Sequence, residues 1–167
     1  VRLERTRNVA NPREAGAYTF GYNPPLCAQR VRDVLTVLAY CARQSPAASS
    51  IDLVGTTGAG HWAAAAAAMS GATVTRLAVD TGGFRFGHVL DLHAPDFLTG
   101  GANCGDVPGL LALRAPQELH VSGETPESLS VVLRQYALAA AAQAVDVVPE
   151  GAAGAGVVRY LTAGRML

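Results

Sequence analysis

Between Ile51 and Asp80 the chain reads IDLVGTTGAGHWAAAAAAMSGATVTRLAVD, and the glycine-rich turn in this stretch carries the residues best suited to chemistry. Two arrangements fit its spacing. In the first, Gly55-Thr56-Thr57-Gly58-Ala59 is a strand-to-helix elbow of the G-x-nucleophile-x-G kind, with the Thr57 hydroxyl held out at the top of a sheet. In the second, Gly58-Ala59-Gly60-His61-Trp62-Ala63 fits G-x-G-x-x-A, and Asp80 follows about twenty residues later. Backbone N–H groups near Gly58 and Gly60 would then meet a pyrophosphate, and Asp80 a ribose hydroxyl, as in a dinucleotide site. A hydroxyl nucleophile needs a base, and histidine is the usual one. His61 stands at the first turn of the elbow helix. His88 and His93, with Asp91 and Asp96, form a loose group that can approach the elbow or bind a metal, although no helical ligand spacing supports a metal. His120 alternates within a strand and reads as a satisfied core or edge residue. Cys104 in GANCGD is a thiol with no marked partner.

The elements that must position these residues follow from periodicity. Residues 1–25 read as an irregular lead-in, punctuated by Asn11-Pro12, Gly16, Gly21 and Asn23-Pro24-Pro25. Leu26, Val31, Val34, Leu35, Leu38 and Ala39 recur at helical steps, which predicts a helix ending near Ser45-Pro46. IDLVG, an alanine-rich helix from about Gly60 to Ser70, and VTRLAVD make a βαβ unit, whose parallel strands are buried on both faces. Alanine is the best helix former, and its small side chain lets that helix sit close to the sheet. The Gly-, Asp- and Pro-rich segment from Thr81 to Pro116 is long for a loop, so short helical turns such as GLLALRA are expected in it, covering a site or an interface. QELHVSGE reads as a third parallel strand. Thr125-Pro126-Glu127 opens a helix through SLSVVLRQYALAAAAQA, and VDVVP is a fourth strand before the turn GAAGAG and VVRYL.

At 167 residues with half of them apolar, the chain reads as one α/β domain with a real core. The formal net charge is zero, and the thirteen basic residues are all arginines scattered along the chain. No basic stripe calls for nucleic acid, and no apolar run approaches the roughly 18 residues of a membrane span. Three cysteines without C-x-x-C spacing argue against a disulfide framework and structural zinc.

TFGYNPPLCAQRVRDVLTVLAY, then IDLVGTTGAGHWAA, then FLTGGANCGDVPGLLALRAPQELHVSGE together resemble the C-terminal half of α/β-hydrolases of the acetyl xylan esterase and prolyl-oligopeptidase-like group. The likeness spans roughly residues 18–130: the Gln29-Arg30-Val31…Asp33 helix before the nucleophile strand, the elbow, and the Ala115-Pro116 strand ending in Gly123-Glu124. It implies a three-layer α/β sandwich with a mainly parallel sheet, lacking the N-terminal strands that carry an oxyanion-hole loop. It also implies carboxylic-ester hydrolysis of a small acyl ester, without cofactor. Thr57 takes the place of the family's serine, Pro126 that of its acid, and no histidine follows the last strand. The triad is therefore degenerate. If active, the chain would use Thr57 as the attacking hydroxyl, Gly58 and Ala59 N–H groups with Trp62 at the oxyanion or substrate, and His61 or His93 with Glu124 as base and acid. The alternative is a non-catalytic binding or structural module on the same scaffold. A truncated sheet leaves an edge, so a homo-oligomer or pairing with a missing N-terminal segment is expected.

Overall fold

A computed structural model describes residues 20–148, 157 and 160–162. The chain is an α/β protein built on four parallel strands in the order β1 (Asp52–Gly55), β2 (Arg76–Asp80), β3 (Glu118–Ser122) and β4 (Val145–Val148). Helix α1 (Leu26–Ala42) precedes the sheet, and α2 (Gly60–Met69), α3 (Asp106–Ala112) and α4 (Ser130–Leu138) form the crossovers. Sequential parallel strands need such crossovers, and equal handedness brings all three to one face.

That face is apolar. The register aligns Leu53, Leu77, Leu119 and Val145 in one row and Gly55, Val79, Val121 and Val147 in another. These rows pack with Ala63, Ala64 and Ala67 of α2, Leu111 of α3, and Val132 and Tyr136 of α4. The alanines act as expected from the sequence: five successive ones, Ala63 to Ala67, are buried, and α2 lies tight against the sheet. Both glycines at the ends of the elbow are sterically required. A Cβ on Gly55 would stand 2.6 Å from the Ala63 Cβ, and one on Gly60 would overlap the Asp80 carbonyl oxygen.

The other face departs from an apolar parallel sheet. Asp52, Arg76, Glu118, His120 and Asp146 lie on it by alternation. Arg76 donates to both carboxylate oxygens of Asp52, His120 Nδ1 lies 2.9 Å from Asp146 Oδ2, and the Tyr160 ring stacks on His120 with centroids 5.1 Å apart. Helical residues thus meet the sheet on both faces. His120 is buried as expected, yet its Nε2 has no hydrogen-bond partner among the described residues.

Element ends differ from the sequence reading where side chains alone misled. Helix α1 stops at Ala42, and Cys27 rather than Leu26 takes the buried position in its first turn; Leu26 is 46% exposed. The helix expected to run through Ala144 ends at Leu138. Ala140 adopts a left-handed φ of 54°, its N–H donates to the Ala137 carbonyl, and Ala141 N–H donates to Tyr136 O. This is the six-residue C-terminal lock that glycine normally closes, here closed by alanine. Arg114, 1% exposed, locks the C-terminal end of α2 by donating to the carbonyls of Ala67, Gly71 and Val74. Burial lowers its pKa, and it sits where the helix dipole favours a cation. Residues 1–19 of the lead-in, and GAAGAG, lie outside the described residues.

Candidate functional site

The carboxyl ends of β1 and β2 meet the start of α2, the position where open α/β sheets place ligands. The elbow is a four-residue turn: Ala59 N–H donates to Thr56 O at 3.1 Å, and the central residues Thr57 and Gly58 are both left-handed, with φ of 50° and 84°. For a β-branched residue this backbone is strained, so Thr57 is held by its surroundings rather than by its own preference. Its side chain is exposed, and among the described residues no hydrogen bond joins its hydroxyl to a histidine.

A cavity of about 310 Å³ opens beside the turn, lined by Gly58, His61, Asp80, Thr81, Gly82, Phe84 and Asp96. His61 is 3% exposed, and its Nε2 lies 3.0 Å from Asp96 Oδ1. The same oxygen accepts from Trp62 Nε1 at 3.0 Å. Arg30 reaches across from α1 to lie over the Trp62 ring, 4.2 Å from its centroid, and 3.6 Å from Asp96. Burial lowers the His61 pKa against the opposing pull of Asp96, so the imidazole is neutral at pH 7. A carboxylate only accepts, so Nε2 carries the hydrogen and Nδ1 keeps the lone pair. On its flat side His61 stacks on Phe84, with centroids 4.0 Å apart.

Phe84 is itself strapped in place. The neighbouring Arg85 grips Glu124 with both terminal nitrogens, at 2.6 and 2.8 Å. Glu124 also accepts from Thr81 Oγ1 at 2.6 Å and from Ser128 Oγ. Burial alone would raise the Glu124 pKa, but these hydrogen bonds outweigh it and hold the carboxyl below its usual range. From the other side Asp106 accepts from the N–H groups of Phe86, Gly87 and Val107 at 2.7–2.9 Å, clamping the same strap to the start of α3.

The residues singled out in sequence therefore divide into groups. Gly58, His61, Asp80 and Asp96 share the cavity; Trp62 joins it through Asp96; Thr57 and Ala59 stand at the adjoining turn, where the Ala59 N–H closes the turn itself. Glu124 is bonded to Arg85, Thr81 and Ser128, and no hydrogen bond links it to a histidine among the described residues. His88 and His93 are exposed, and the described His93 contact is its backbone N–H donating to Asp91. His120 lies on the opposite sheet face. Asp96 does approach the elbow, as the loop constellation suggested, but it does so without the loop histidines. Participants given no site role from the sequence include Arg30, Thr81, Phe84, Arg85 and Asp106. No periodic signal in the glycine-rich segment marks the latter four.

Cys27, in contact with this cluster, is fully buried, and its thiol is pushed up to about 11, mostly by burial. That is the state of an inert thiol rather than a nucleophile. Among the described residues no group of three His, Cys, Asp or Glu side chains is arranged to hold a metal ion, and no helix is long and apolar enough to cross a membrane. Set against known proteins, the chain matches no family model, no curated protein and no solved structure.

Proposed function

We propose that the chain is a hydrolase-type α/β scaffold whose elbow cleft binds a small molecule without hydrolysing it. The observation that carries this reading is that among the described residues no base candidate is hydrogen-bonded to Thr57, while the acid candidate is bonded elsewhere. His61 bonds Asp96 rather than Thr57, His93 is exposed with its backbone N–H on Asp91, and Glu124 is held by Arg85. An acyl-transfer site needs a base within hydrogen-bond reach of the nucleophile and donors facing the oxyanion. Here the Thr57 hydroxyl lacks the former, and the cleft beside it presents the carboxylates of Asp80 and Asp96. The same carboxylates oppose the pyrophosphate of a dinucleotide. What supports a hydrolase-type scaffold is the ordered resemblance along the chain together with the left-handed Thr57 between two sterically required glycines.

Hydrolysis of p-nitrophenyl acetate and butyrate by the wild-type chain beside Thr57→Ala tests this directly. Equal rates are expected. Turnover that vanishes in Thr57→Ala would overturn the binding reading and restore the esterase one. That second reading has its own observation in its favour: the His61–Asp96 pair leaves the Nδ1 lone pair as a base beside the elbow.

A further inference from the structure

We infer that the cleft beside the elbow selects a small organic monocation, such as an alkylammonium group. The inference rests on the binding reading above and names the ligand class of that site. The cleft's charges decide the sign. Asp96 already has Arg30 at 3.6 Å and hydrogen bonds from His61 and Trp62, so its charge is largely compensated. Asp80 spends one oxygen on the Gly82 N–H at 3.0 Å and faces no cation among the described residues. His61, only 3% exposed, lines the cavity as a neutral imidazole. One net negative charge, the neutral His61 ring and the Phe84 ring therefore line about 310 Å³.

Each feature favours the same guest. An ammonium head supplies donors for the carboxylate, and its charge is attracted to the aromatic wall. A short alkyl stem suits a cavity at the small end of ligand sites. An anion would meet Asp80 unscreened, and the N-terminus of α2, which has no side-chain cap, offers about half a positive charge against the full negative charge of Asp80. A metal ion is disfavoured by the absence of a three-ligand cluster among the described residues.

The chain reports on this site by itself, because Trp62 is its single tryptophan and is hydrogen-bonded to a cavity-lining residue. We would titrate the protein with n-butylammonium chloride and, at matched ionic strength, with sodium butyrate, following Trp62 fluorescence. The expected result is a saturable change with butylammonium only, weakened about fivefold in Asp80→Asn, the order of one partly exposed charge contact. The asparagine side-chain oxygen can keep the Gly82 hydrogen bond, and an unchanged circular dichroism melt would show the variant folded. Absence of saturation with butylammonium, or equal affinity in folded Asp80→Asn, would overturn the inference. Saturation with butyrate alone would overturn it too, while leaving the binding reading intact. Thr57-dependent ester turnover would instead remove the binding reading and leave the cation result to stand by itself.

Discussion

Replacing Glu124 by glutamine separates a structural clamp from a catalytic acid. The carboxylate is 5% exposed and receives two bonds from Arg85, one from Thr81 and one from Ser128. Glutamine keeps one acceptor oxygen and turns an NH2 group toward donors, so at least one charged contact is lost and Arg85 remains without its anion. Removing one partner of a buried pair costs about 3–5 kcal/mol. The Arg85 side chain is 18% exposed, so water recovers part of that, and the expected loss is about 2–4 kcal/mol. Urea unfolding followed by circular dichroism and Trp62 fluorescence would read this as a lower midpoint at unchanged slope. The pH dependence gives an independent check. A carboxyl held below its unfolded value contributes stability above roughly pH 4.3 and loses it as pH falls from there through the folded value. That acid-labile component should be absent from Glu124→Gln. A destabilisation under about 1 kcal/mol, with wild-type acid sensitivity retained, would refute the clamp argument.

The elbow and its histidine give two further tests. Thr57→Gly relieves a left-handed β-branched residue costing about 1–2 kcal/mol and adds up to about 1 kcal/mol of unfolded-state entropy, so a net stabilisation of about 0.5 kcal/mol is expected in the same urea experiment; a loss of stability would show that the Thr57 side chain makes a supporting contact. His61 should titrate below the ordinary imidazole value of about 6.5 in NMR spectra, and lower still in Asp96→Asn, because Asp96 is the group that opposes burial. Since the unfolded chain then binds more protons than the folded one, this histidine's contribution to stability is intact above about pH 6.5 and falls as pH drops toward the lowered folded value. An unshifted titration would contradict the burial of this ring.

Much of the scaffold was legible because the relevant signals are local. The β-branched run before Gly55 and the alanines after Gly60 each specify an element within a few residues, whereas the helix expected to open at Thr125-Pro126 begins only at Ser130, after a turn. The failures have physical causes. The early end of α4 hinges on Ala140 taking a backbone that glycine usually takes, which composition does not advertise. The site was legible in its separate residues, Gly58, His61, Trp62, Asp80 and Asp96, but not in how they pair. Asp96, the common partner of Trp62 and His61, is 34 and 35 residues away from them, and the Arg85–Glu124 pair spans 39. A loop without periodicity carries no register, so contacts at such separations are set by the folded sheet rather than by spacing.

The cleft and the resemblance pull in opposite directions, and the physical layers of the site explain why both are visible. Backbone demands are the slowest to relax: Gly55 and Gly60 are fixed by atoms within 3.1 Å of their missing Cβ positions, whatever chemistry the turn supports. Side chains above the turn face no such demand, and there their partners set the electrostatics. The Glu124 carboxylate has found an arginine, and the cleft imidazole has been made neutral by burial and pinned by an aspartate that also holds Trp62. Shape at this turn is therefore enforced by overlap and charge in the cleft only by partners, so the two can vary independently.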